Sequence, residues 1–147
     1  MAYIEWNSDL NIGIDVIDKQ HMRIAEYINR MHEAIERGDL HEITDIFDEL
    51  ADYIQTHFTF EEEIQRKARY EFCSAHKRVH RVFIKKIAEY RTQFDQGNAE
   101  ISERVLQVLR KWLVNHIQQD DADYLPAVMR MMNIKPKKKS WVSRVFG

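Results

Sequence analysis

The sequence predicts an all-α protein: an antiparallel, up-down-up-down four-helix bundle with an extended N-terminal arm and a short C-terminal tail. Three observations predict it. Gly (4) and Pro (2) are scarce in 147 residues, so few positions break a helix. Four long segments carry apolar residues in alternating steps of three and four, the helical period. The breaks between those segments are short, which makes consecutive helices antiparallel neighbours. The length suits one domain with a full-sized core. The expected division is a helical domain over 1–134, its arm over 1–17, and a tail over 135–147.

In the arm, Tyr3, Ile4 and Trp6 are apolar anchors, and Gly13 interrupts any helical pattern. Asp18 is an N-cap candidate for a first helix over about 18–37. Its stripe is Ile17, His21, Ile24, Ile28, Met31 and Ile35, and Gly38-Asp39 breaks it. The second helix, about 40–67, carries Ile43, Phe47, Leu50, Ile54, His57, Glu61 and Ile64. Arg69-Tyr70-Glu71 is the expected turn. The third, about 73–95, starts at Cys73 and carries His76, His80, Phe83, Ile87, Tyr90 and Phe94. Gly97-Asn98 closes it as a C-terminal cap and loop. The fourth, about 99–120, carries Ile101, Val105, Val108, Trp112 and His116.

Composition excludes several function classes. The formal net charge is -2, too small to argue for nucleic acid across the surface. A single cysteine, Cys73, allows no internal disulfide and no cysteine-based zinc site. The N-terminus mixes apolar and charged residues without a signal-peptide pattern, and no segment approaches transmembrane length. The expected location is the cytoplasm, and the expected state a monomer.

Five of the seven histidines, His21, His57, His76, His80 and His116, occupy inward positions, and Glu61 shares their face. An unpartnered ionised carboxylate is very costly to bury. Register brings these groups level. His21 precedes Gly38 by 17 residues and His57 follows it by 19. His76 and His80 centre 19 residues before Gly97, and His116 lies 19 after it. One buried histidine is most simply a hydrogen-bonded core residue. Five at one height, on four helices and with a carboxylate, make a metal site. Carboxylate bridging admits two metals. Donor type alone leaves iron, zinc, copper and nickel open.

These residues carry a family resemblance. Trp6, Gly13, Asp18-Lys-Gln-His21, His57-Phe58-Thr-Phe-Glu61-Glu62, His76-Lys77-Arg-Val-His80 and Trp112-Leu113-Val-Asn-His116-Ile117, with Asp121 and Tyr124, resemble the hemerythrin family, specifically its single-domain bacterial members. The resemblance spans roughly residues 3–125. It implies a non-haem di-iron centre with an oxo or hydroxo bridge. In that pattern His76, His80 and His116 bind one iron, His21 and His57 bind the other, and Glu61 and Asp121 bridge them. The two-histidine iron keeps an open position, where O2 binds reversibly. The implied function is O2 carriage, storage or delivery, without enzymatic activity. Two alternatives stand beside it: an O2 or redox sensor, and a di-iron enzyme acting on peroxide or nitric oxide. Ile24, Trp112, Leu113 and Ile117, close to the ligands in sequence, are the expected O2 pocket.

Two places strain the pattern. Asp121 follows His116 by five residues, about 140° around an ideal helix, so helix geometry alone selects Asp120. Following the family pattern instead requires helix four to loosen between Ile117 and Asp121, as a π-bulge does. Gln65 stands where many relatives carry methionine. Its amide either turns toward solvent or the bundle end, or joins the O2 pocket. The turn Arg69-Tyr70-Glu71 likewise stands where relatives commonly have Gly-Tyr-Pro. The tail, with four Lys, one Arg and no acid, places Trp141, Val142, Val145 and Phe146 on one helical face. Such an end binds an anionic membrane surface or a protein partner, giving a peripheral location at the inner face of the membrane, or else stays solvated.

Overall fold

The computed structural model describes residues 2–133; the tail, and every expectation placed on it, lies outside the described residues. The arm makes a single 3-10 turn, Ser8–Leu10. Three helices follow: α1 (Asp15–Arg37), α2 (Leu40–Lys67) and α3 (Cys73–Asp95). The last helical run begins as α4 (Ile101–Asn115), passes through a π segment (His116–Asp121), and ends as α5 (Ala122–Met132). The helices close a ring in which α1 packs on α2, α2 on α3, α3 on α4, and α4 on α1. This is the expected four-helix bundle.

Helix α1 starts three residues earlier than expected, and Asp18 is not its N-cap. Ile14 holds that position without a side-chain cap. Asp18 instead lies in the first turn and reaches back, accepting from the Ile12 amide at 2.8 Å and the Gly13 amide at 3.2 Å. A carboxylate there still faces the positive end of the helix. Gly13, at φ 96°, lets the arm turn into the helix. At the other end Gly38 is left-handed, and its amide meets the Ala34 and Ile35 carbonyls. Asp39 then caps α2, accepting from the Glu42 amide at 3.0 Å.

The turn after α2 holds Arg69 at φ 56°, in the left-handed region where a side chain is strained. The Tyr70 amide closes it on the Gln65 carbonyl at 2.9 Å. A glycine takes this conformation without strain, which accounts physically for glycine at this point in relatives. Arg69→Gly should therefore raise stability by about 0.5–1 kcal/mol, read as the urea midpoint; a fall would contradict the strain.

The fourth helical run overshoots the expected end at 120 by twelve residues. Pro126 lies inside the run, although proline removes an internal hydrogen bond. Burial overrides this loss. Tyr124 and Val128 pack on Ile14, Ile17 and Ile64 in a small apolar cluster. A larger cluster, including Ile24, Phe47, Ile54, Phe58, Phe83 and Leu113, fills the rest of the bundle. The histidine layer lies between the two, so apolar side chains close it above and below.

Candidate metal centre

Each helix delivers its polar groups at the level the register argument gives. His21, His57, Glu61, His80, His116 and Asp121 are each no more than 2 % exposed, and His76 is 8 % exposed. The ligand-type atoms of His21, His57, Glu61 and His116 all lie within 4.8 Å of one another. Glu61 Oε1 is 3.0 Å from His57 Nε2 and 3.0 Å from His116 Nε2, and 3.7 Å from His21 Nε2. Glu61 Oε2 faces His80 Nε2 at 3.4 Å. Asp121 Oδ2 is 2.9 Å from His21 Nε2, and Oδ1 is 3.3 Å from His116 Nε2. Asp121 therefore faces His21 with one oxygen and His116 with the other, whereas Glu61 faces His57, His21 and His116 with Oε1 and His80 with Oε2. His76 is placed differently: its Nε2 meets the Asp120 carbonyl at 3.1 Å.

The π segment makes Asp121 inward. It spans His116 to Asp121, the stretch where an ideal helix would have turned Asp120 inward. Asp121 is 0 % exposed. The Asp120 side chain is 37 % exposed, with Oδ2 3.5 Å from His116 Nδ1, behind the ring. Glu62 similarly stands 3.5 Å from His80 Nδ1.

Other groups hold the rings. His57 Nδ1 and Gln20 Oε1 are 2.6 Å apart. An amide oxygen only accepts, so the ring donates from Nδ1 and its Nε2 lone pair faces the cluster. Phe58 stacks on His80 with centroids 3.8 Å apart, and Trp112 stacks on His116 at 4.9 Å. Tyr124, fully buried, donates to Glu61 Oε1 at 3.3 Å. Gln20 and Phe58 carry no ligand signal of their own, and only their packing reveals them. Tyr124 was legible as inward only if the helix continues past 120.

Ile24, Leu113 and Ile117 are buried in the larger apolar cluster, and Trp112 is partly buried against it. Gln65 is 0 % exposed, which excludes the solvent-facing alternative. Neither amide atom of Gln65 has a hydrogen-bond partner among the described residues.

The donor set fits a metal on its own geometry. Both ring nitrogens of His21 and of His80, both Asp121 oxygens and Glu61 Oε2 are buried without a hydrogen bond. Yet several stand about 3 Å apart, the spacing of neighbouring donors whose bonds to one ion are ~2.1 Å long. Buried polar atoms of this kind are normally satisfied; a cation at their meeting point would satisfy them together.

Without metal, protons take that role. Burial alone would lower His116 and His21, but the Glu61 and Asp121 carboxylates outweigh it and raise both above 6.5. Burial pushes His57 down to about 4. Burial and the neighbouring Glu61 charge push Asp121 up to about 7. Glu61 resists its burial because His116 and His57 hold it well below 4.5. The consequences for stability have definite signs. Glu61 contributes above 4.5 and is lost as pH falls below it. Asp121 loses stability and His57 gains it as pH rises from about 4, so the two oppose. His21 and His116 contribute below 6.5 and are lost as pH rises through their folded values. Metal-free protein should be most stable between about pH 4.5 and 6.5 and weaken above that. Bound metal replaces those protons and removes the alkaline loss. Urea midpoints across pH, with and without metal, check this; an identical alkaline decline in both forms would contradict it.

Comparison with known proteins agrees with this arrangement. Residues 12–128 match the family model described as the hemerythrin HHE cation binding domain. The chain is 48% identical to a bacteriohemerythrin of Stenotrophomonas maltophilia over 133 residues, covering 90% of this chain and 86% of the relative. It is 43% identical to a bacteriohemerythrin of Pseudomonas aeruginosa over 147 residues, covering 98% and 95%. A crystal structure of wild-type hemerythrin superposes with a TM-score of 0.80 at 31% identity, covering 86% of this chain and 98% of that one. With the bundle, its inward histidines and these relatives in agreement, the chain belongs to the hemerythrin family.

Proposed function

We propose that this protein binds O2 reversibly at a pair of iron ions held by His21, His57, Glu61, His76, His80, His116 and Asp121, and serves O2 carriage, storage or delivery. The observation that carries the reading is the placement of the two buried carboxylates. Asp121 faces His21 and His116 with separate oxygens, and Glu61 faces His57 and His116 with Oε1 and His80 with Oε2, a placement suited to groups that would bridge two ions. When bound, the iron pair supplies the reducing electrons and the open coordination position for O2.

The chain supplies the rest. Gln20 fixes the His57 tautomer, and Tyr124 holds one Glu61 oxygen. Phe58 and Trp112 clamp two rings. The apolar clusters on either side exclude water, which limits proton access to the site. With five histidines divided unequally between two ions, His21 and His57 would hold theirs with fewer donors, which would leave that ion room for a ligand. A set rich in histidine and with two carboxylates favours binding over the oxidising chemistry of carboxylate-rich sites, and the protein is read as a carrier and not an enzyme. His76, whose Nε2 meets the Asp120 carbonyl, would have to release that contact to join the set.

Gln65 sets how long the bound form lasts. It is one turn from Glu61, and leaving a buried amide unpaired costs about 1–3 kcal/mol. An amide there attracts water or a polar ligand. Gln65→Met should slow autoxidation and raise the stability of the metal-free protein by about 1 kcal/mol. An unchanged autoxidation rate would count against an inward role.

A further inference from the structure

We infer that the outer face of α3 is a docking surface for an anionic lipid bilayer, with α3 lying along the membrane plane. The inference is independent of what the metal centre binds, because metal-free protein carries the same face.

Between Glu71 and Glu89 the chain has no acid, and Lys77, Arg78, Arg81, Lys85 and Lys86 fall within ten residues. That charge is not the general character of the protein. The tail 135–147 holds 5 of the 22 basic residues and none of the 24 acidic ones, leaving 17 against 24, or -7, on the remainder. None of the five basic side chains forms an ion pair with a carboxylate among the described residues, whereas other lysines and arginines do. Large apolar side chains are exposed on the same element: Phe72 at its N-cap, 57 % exposed, Val79, 52 %, and Val82, 69 %. At 100° per residue, Arg81, Lys85, Arg78, Val82, Lys86 and Val79 fall within about 160° of the circumference, on the side away from the buried His76, His80, Phe83 and Ile87, and Phe72 precedes them at the N-cap.

The form of this face favours a bilayer over a folded partner. It is the convex side of one helix, running about 21 Å from Phe72 to Lys86. Its apolar groups are spread between charges along the helix, and the cleft beside Phe72 and Val79 is walled by Asp120 and Asp123, so no single apolar anchor dominates it as in a protein interface. Long lysine and arginine stems reach headgroups while the valines and Phe72 sit at the acyl boundary. Acids bound this face: Glu71 and Glu89 close its two ends on the same side of α3, Glu63 lies beside Lys77, and Asp120 and Asp123 lie across the cleft from Phe72 and Val79. Adsorption needs no spanning segment, and no described helix is long and apolar enough to cross a membrane.

The test is co-sedimentation of the full chain with vesicles of equimolar phosphatidylglycerol and phosphatidylcholine, and with phosphatidylcholine alone. The expected result is binding to the first, none to the second, and release by salt. Arg78→Glu/Arg81→Glu/Lys85→Glu should weaken binding about a hundredfold with unchanged helicity and melting temperature. Val79→Ser/Val82→Ser, which keeps every charge, should weaken it less and guards against misfolding of the first variant. Failure of the wild-type chain to bind would overturn the proposal. So would undiminished binding by the charge-reversed variant, which places the contact in the tail alone. Binding of soluble polyglutamate by a chain that ignores vesicles would overturn it in favour of an acidic protein. A concentration-dependent dimer dissolved by the same substitutions would overturn it in favour of a second copy.

Discussion

Asp121→Ala should abolish the visible spectrum of the iron-loaded protein and leave fewer than two irons per chain, while Asp120→Ala keeps both. The two residues are neighbours, and their difference is the whole content of the π segment. Asp121 is 0 % exposed, with one oxygen 2.9 Å from His21 Nε2 and the other 3.3 Å from His116 Nε2. On the proposed assignment, alanine there would remove a donor from both ions at once. Asp120 is half out in solvent and reaches only the back of the His116 ring, 3.5 Å from Nδ1. Its loss should resemble that of an orienting carboxylate, a roughly 10–100-fold weaker metal affinity with the spectrum retained. Iron analysis and absorbance on both variants decide the matter. Retention of the spectrum by Asp121→Ala, with loss in Asp120→Ala, would mean that the helix is regular there and the ligand assignment wrong.

The second large effect is on stability. Seven polar side chains converge in one layer between two apolar clusters, and several of their atoms have no hydrogen bond. A ligand that binds only the folded chain, at a thousandfold excess over its dissociation constant, stabilises by about 4 kcal/mol. For a chain of this size that corresponds to a melting temperature roughly 10 °C higher. Anaerobic melting of metal-free and ferrous-loaded protein should show at least that gap. His57→Ala and Glu61→Ala should close most of it, because the first loses a donor and the second a bridge. A gap below a degree would argue that the layer is satisfied by its own protons and does not hold iron tightly.

Much of this architecture was legible in the sequence because the helical period is robust over long segments. The limits of α2 and α3 follow from Asp39, Gly97 and the Arg69 turn. The polar layer was legible because histidines on an apolar stripe conflict with burial unless something cationic joins them. Other features were not legible from local rules. Asp18 has the residue type of a cap, but works from inside the helix on the Ile12 and Gly13 amides. The apolar stripe read from the sequence runs only to His116, whereas burial of Tyr124 and Val128 carries the helix to Met132 despite Pro126. The π segment breaks the period that the sequence argument relies on, and only the family pattern pointed to it. Gln20, Phe58 and Tyr124 act through contacts with groups 22 to 63 residues away, which no local spacing encodes.

The central claim is reversible O2 binding at an iron pair, and one measurement addresses it most directly. The protein is loaded with ferrous iron without oxygen, exposed to O2, and then stripped of it while the visible spectrum is followed. A charge-transfer band should appear with O2, bleach on its removal, and return on the next cycle with two irons per chain. Irreversible oxidation in the first exposure, or no band at all in protein carrying its full iron, would contradict it.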